Sequence, residues 1–247
     1  MHGRRLGALA FATAALLTAT LGLVFFWAPN DATLGFLQKI FYIHVPLAIV
    51  TLGGFIAGGL MAIAHLRTRD PRWDVRSYVA IHISLIFGVG VLITGAIWAK
   101  GAWGHWWVWN EPTLVSFLLV MLLYATYQPL RFAIEDPERQ ARAASVFAVT
   151  AGVFVPVNFA IVRLSTALVH PRTLDNISGN LPGRMQVVFY LAMVSVALLW
   201  VTLWRYEIAS KHARAQLRTL RRLLSGDEDE PARRSAAPSI SGAGGAR

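Results

Sequence analysis

Residues 77–99 read SYVAIHISLIFGVGVLITGAIWA, and residues 100–110 continue as KGAWGHWWVWN. The first part is an apolar stretch without a single Asp, Glu, Lys or Arg, and it runs straight into a cluster of tryptophans. At about 1.5 Å of helical rise per residue it is long enough to cross a hydrocarbon core about 30 Å thick. Five more uncharged stretches lie around it, at Leu6–Trp27, Phe41–Leu66, Thr113–Leu130, Ala143–Val162 and Met185–Trp204. The pattern predicts an all-α polytopic membrane protein of six transmembrane helices. Composition agrees: of 247 residues 55% are hydrophobic and only 15% charged, with a mean hydropathy of +0.51, whereas soluble domains carry about 25% charged residues. The first stretch follows Arg4 and Arg5 but is too long for the core of a signal peptide and lacks a small-residue cleavage site, so it reads as an uncleaved helix.

Of the 23 basic residues, all but Lys39, Lys100, Arg163, Arg172 and Arg184 fall in segments that an inward-facing N-terminus places on the inner side. The positive-inside rule therefore puts both termini in the cytoplasm and the loops at about 28–40, 99–112 and 163–184 outside. The net charge of +10 is then a topology signal and not a nucleic-acid patch. Residues 1–205 form the expected six-helix transmembrane domain, with a tryptophan-rich outer loop at 98–112. Residues 206–247 form a basic cytoplasmic tail. Within it Glu207–Leu224 is partly amphipathic and suited to anionic membrane lipid, and the stretch beyond Ser225 has the composition of a disordered end. The absence of cysteine excludes disulfides, thiolate metal sites and covalent attachment of a haem to this chain. No Gly-x-x-x-x-Gly-Lys-Ser/Thr segment is present, so any ATP hydrolysis belongs to another subunit.

The outer loops carry the chemistry. Trp98, Trp103, Trp106, Trp107 and Trp109, out of nine tryptophans, crowd into one loop. An interfacial aromatic belt would spread them over several helix ends. Clustered indoles instead offer flat, polarizable faces to a large planar ligand. His2, His65, His82 and His212 fall towards the inner side, leaving His44, His105 and His170 outside. His44 lies at the start of the second helix and His170 is expected to close the fifth. Singly, either is an ordinary interfacial residue; at matching depth beside the tryptophans, the pair can ligate a haem iron from opposite faces. His105 reads as incidental. Lys39 and Arg163 are candidate partners for haem propionates. Arg163 is expected to share a helical face with His170, two turns on. Lys39 has the simpler reading of a snorkelling interfacial side chain.

Trp-Gly-His-Trp-Trp-Val-Trp-Asn at 103–110 resembles the tryptophan-rich "WWD" signature of haem-handling proteins. Together with Ile-Phe-Tyr-Ile-His-Val-Pro at 40–46 and the segment from Val155 to Pro171, it is similar to the cytochrome c maturation family CcmC, haem exporter protein C, over residues 35–205. The resemblance implies non-covalent haem b held at the outer, periplasmic face of the bacterial plasma (inner) membrane. His44 and His170 would be the axial ligands and Trp103, Trp106, Trp107, Trp109 and Asn110 the platform, with Lys39 in place of a basic residue before the first histidine. It further implies transfer to a haem chaperone (CcmE), and association with an ABC transporter pair (CcmA, CcmB) and a small helper subunit (CcmD). The family signature ends in Asp where this chain has Asn110, and the adjacent Glu111 is expected to take over the acidic role.

The expected function is a haem-binding transfer subunit, with no catalytic residue assigned. A neighbouring alternative is a cytochrome c synthase, which attaches haem to the apocytochrome itself but is usually larger, with a second histidine pair. A six-helix permease would place polar residues or broken helices near the midplane. The spans here offer little of this: Arg163 lies towards one end, and Asn158 and Pro156 are the nearest candidates.

Overall fold

The computed structural model describes residues 2–170, 181 and 183–225, and among them every regular element is helical. The elements are α1 (His2–Phe26), a 3-10 turn (Phe36–Ile40), α2 (Phe41–Thr68), α3 (Pro71–Trp103), α4 (Pro112–Ala125), α5 (Tyr127–Phe132), α6 (Pro137–Leu164) and α7 (Gly183–Ser225). Six helical stretches are long and apolar enough to cross a membrane, as the uncharged runs predict: α1, α2 with its preceding turn, α3, α4 continued by α5, α6 and α7. The chain is a multi-pass membrane protein.

Capping sets where these helices begin. Three of them open on an acid followed by proline. Asp70 accepts the Arg72 N–H at 2.8 Å ahead of Pro71, and Asp136 accepts from Glu138 and Arg139 ahead of Pro137. Glu111 accepts the Thr113 N–H at 3.3 Å ahead of Pro112. The acid satisfies amides that have no helical acceptor, and proline at the first position gives up a donor that would be unpaired anyway. α3 accordingly starts ahead of its uncharged run, and it runs on through Trp103 before Gly104 turns it off at φ 80°. Trp98 and Trp103 are therefore helical. The irregular part of the tryptophan loop begins at Gly104, later than the expected start at 98–99.

The chain divides into two compact units, Met1–Tyr206 and Glu207–Arg247. In the first, α2 packs along both α3 and α6. The approach to α6 is close enough that a Cβ built on Gly59 would lie 3.1 Å from the Ala148 carbonyl and 3.2 Å from the Gly152 Cα. In a bilayer, where lipid is as apolar as leucine, such backbone approaches supply the packing that holds helices together. Phe55 stacks on Tyr124 at 3.8 Å between ring centroids. Thr13–Thr202 (2.7 Å) and Thr20–Ser195 (2.8 Å) hydroxyl pairs join α1 to α7. In the second unit, the described residues Glu207–Ser225 continue α7 with Lys211, Arg214, Arg218, Arg221 and Arg222.

At the end of the bundle opposite His44, Arg131 makes a two-pronged ion pair with Asp74, at 2.7 and 2.6 Å, and also donates to the Tyr127 hydroxyl. Both charges are buried, at 9% and 7% exposure. Removing one leaves the other buried without its counter-charge, a loss of about 3–5 kcal/mol. Arg131→Ala is therefore expected to lower the thermal unfolding midpoint in detergent markedly, and Arg131→Met with Asp74→Leu together to lower it less. Equal midpoints for wild type and Arg131→Ala would show that the pair carries no stability.

Candidate functional site

α2 begins at Phe41, whose ring stacks on Phe189 of α7 at 5.2 Å, and its first turn carries His44 against α3. The His44 Nδ1 lies 3.0 Å from the Thr94 hydroxyl. That hydroxyl donates its own proton to the Gly90 carbonyl at 2.7 Å, shared with Val91, so it can only accept from His44. With the hydroxyl proton on that carbonyl, the Nδ1–H tautomer is the one that fits, and it leaves Nε2 the lone pair that a metal takes. The ring fits because α3 has glycine beside it: a Cβ on Gly95 would stand 2.8 Å from His44 Cε1.

His44 lines a cavity of about 380 Å³ together with His170, Trp103, Trp106, Trp107 and Arg163. Deeper, between the helices, its walls are apolar, with Leu52, Val120 and Val155. Trp103 meets the Trp98 ring edge-on at 5.1 Å and the His170 ring at 6.3 Å. Trp107 contacts Trp109 at 5.9 Å, and its indole nitrogen is buried without a hydrogen-bond partner. A buried donor left unpaired is costly, and a polar group on a ligand would relieve it.

The sequence-predicted residues divide. His44, His170, Trp103, Trp106, Trp107 and Arg163 converge on this cavity. Trp109 and Asn110 sit on the exposed side of the loop, with Trp109 at 74% exposure, and His105 is exposed too. The 3-10 turn presents Gln38 to the cavity, while Lys39 is buried at 4% exposure and its ammonium donates to the Ala28 carbonyl. Arg163 lies in the last turn of α6, its guanidinium over the Phe159 ring at 5.3 Å.

The expectation that His170 closes its helix does not hold. α6 ends at Leu164, and Ser165 is already extended (φ −79°, ψ 159°). The shared helical face with Arg163 therefore fails, although both side chains reach the cavity. What replaces the helix is Glu111, which sequence reasoning placed in the transfer chemistry. Fully buried, its Oε2 accepts the backbone N–H groups of Leu168, Val169 and His170 at 2.9, 2.8 and 3.2 Å. Burial pushes its carboxyl upward, and the four backbone donors, counting Thr113, outweigh that and hold it below the ordinary glutamate range. The proline after His170 disfavours α geometry at that residue alone and does not mark the helix end at Leu164.

Among the described residues no group of three or more His, Asp or Glu side chains could hold a metal ion. Two imidazoles on one cavity suit a metal whose other positions come from a planar macrocycle, with indole faces beside it.

The family model "Heme exporter protein C" matches residues 1–223 of the chain. Relatives carrying that name include one from Bradyrhizobium diazoefficiens, 32% identical over 78% of this chain and 73% of its own. Another, from Paracoccus denitrificans, is 30% identical over 85% of this chain and 87% of its own. A "Putative cytochrome c biosynthesis ccmC-like mitochondrial protein" of Marchantia polymorpha is 29% identical over 70% of this chain and 72% of its own.

The tautomer assignment is open to test without any ligand. In protein labelled with 15N-histidine, the His44 ring is expected to show the Nδ1–H form, and Thr94→Val to mix the two tautomers. A His44 ring already protonated on Nε2 in the wild type would contradict the hydrogen-bond assignment.

Proposed function

Because the chain belongs to the haem exporter protein C family, we propose that it holds haem b non-covalently between His44 and His170 and presents it for cytochrome c biogenesis. The single observation that carries this is the convergence of two imidazoles, from different parts of the chain, on one tryptophan-walled cavity. The cargo supplies an iron with two axial positions and a flat conjugated ring with two carboxylates.

The chain's own residues then have distinct tasks. Thr94 and Gly95 hold the His44 ring; Trp103, Trp106 and Trp107 give the ring faces a dry wall; the Trp107 N–H offers a donor. Arg163, on the cavity wall, is the cation placed to meet a propionate. Lys39 meets a carbonyl of its own chain, so its part in the site is to fix the turn ahead of α2. Two saturated axial positions leave no open coordination site for oxygen chemistry, which suits a carrier.

In this reading the cavity faces the periplasmic side of the bacterial inner membrane, with both termini inside, which the distribution of basic residues supports. Trp106 and Trp109, at 59% and 74% exposure, form the face on which the chaperone CcmE docks to receive haem. The ATP-driven step belongs to CcmA and CcmB, with CcmD as the small companion, since this chain has no phosphate-binding loop.

Absorption spectra of the purified protein in nanodiscs, oxidised and reduced, test the reading. The wild type is expected to show a low-spin, two-nitrogen haem spectrum, and His44→Ala and His170→Ala each to lose it. Thr94→Val should weaken haem binding by roughly 10–100-fold, as loss of a ligand's supporting hydrogen bond does elsewhere. Unchanged spectra in both histidine variants would overturn the assignment.

A further inference from the structure

The two imidazoles are anchored in different ways. His44 sits in a regular helix, on backbone that satisfies itself, with its ring bonded to Thr94. His170 follows the end of α6 on irregular, non-helical chain, where the amides of 168–170 have no helical acceptors. Those three consecutive N–H groups converge on one oxygen of Glu111, making a small anion nest from the backbone. The other oxygen caps α4 through Thr113. One fully buried carboxylate thus ties the residue directly after the tryptophan loop to the segment that carries His170, 57 to 59 positions away in sequence. Hydrogen bonds to an ionised oxygen are the strong kind, and burial makes their loss more costly still.

We infer that Glu111 is the positioning residue of His170, fixing the backbone of 168–170 so that its imidazole reaches the cavity beside Trp103. This rests on the haem reading given above. Glu111 touches no cargo atom in this scheme; it acts through the backbone. It also ties the loop to the ligand segment, so that a movement of the tryptophan loop is felt at His170.

The test compares wild type, Glu111→Gln and Glu111→Ala as full-length protein in nanodiscs, with two readouts. Amide hydrogen exchange at 168–170, measured without haem, reads the tie itself; it should quicken on the order of tenfold to a hundredfold in Glu111→Ala, the worth of one charged hydrogen bond. Glu111→Gln keeps one carbonyl acceptor and should fall between. The haem spectrum reads the consequence: Glu111→Ala should keep haem on His44 but turn largely high-spin, and added imidazole should restore the low-spin form. Glu111→Gln, which preserves the shape of the side chain, keeps the test usable if the alanine variant does not fold. Faster exchange with an unchanged low-spin spectrum would overturn the positioning role, as would unchanged exchange. A wild type that takes up no haem would instead overturn the haem reading and, with it, the role of Glu111 toward a ligand. Exchange would then still report whether the tie exists.

Discussion

In hydrocarbon a backbone amide or carbonyl has no water to turn to, so a chain that crosses must satisfy every one of them within itself. That constraint keeps the spanning segments helical, and it gives acidic side chains a task at the places where helices start. Asp70, Glu111 and Asp136 each stand before a proline and accept amides that would otherwise be bare. Glu111 goes further than a cap, because its second oxygen serves a stretch of chain that has left its helix. The site follows from these ends: the first turn of α2, the last turns of α3 and α6, and the start of α4 meet around one cavity.

Packing then sets what the cavity can hold. Glycine at 59 and 152 lets α2 and α6 approach at backbone distance, and glycine at 95 leaves room for an imidazole against α3. The walls are largely apolar, and of the polar groups on them Asn158 is held near Ser116 and Arg163 lies against Phe159. At the opposite end of the bundle the buried Arg131–Asp74 pair and a His65–Ser145 hydrogen bond of 2.8 Å tie the helices together.

Much of this was legible in the sequence, and the reasons differ by residue. Uncharged runs found all six spans, but they cut the helices short, because a helix tolerates Arg72 or Arg76 once it has emerged from hydrocarbon and ends where a cap or Gly104 says so. The convergence of the tryptophans with His44 could be anticipated, since alternation of direction puts the start of α2 beside the end of α3. The geometry around His170 could not be read by helical periodicity. Ser165 breaks the helix, and its replacement support comes from a residue on another element. Glu111 gave only a local signal, an acid before a proline, which marks a helix start and says nothing of contacts 57 positions away. Lys39 illustrates the reverse: its charge suggested a ligand contact, and nothing in the sequence pointed to the Ala28 carbonyl to which its buried ammonium donates.

The central claim is that one iron stands between His44 and His170 beside the tryptophan wall. A cryo-electron microscopy map of the full-length protein, loaded with haem in nanodiscs, tests it most directly. The expected result is a flat density filling the cavity, its centre joined to His44 Nε2 on one side and the His170 ring on the other, with Trp103 and Trp107 against its edge or face. Haem density elsewhere on the protein, or an iron joined to neither histidine, would contradict the claim.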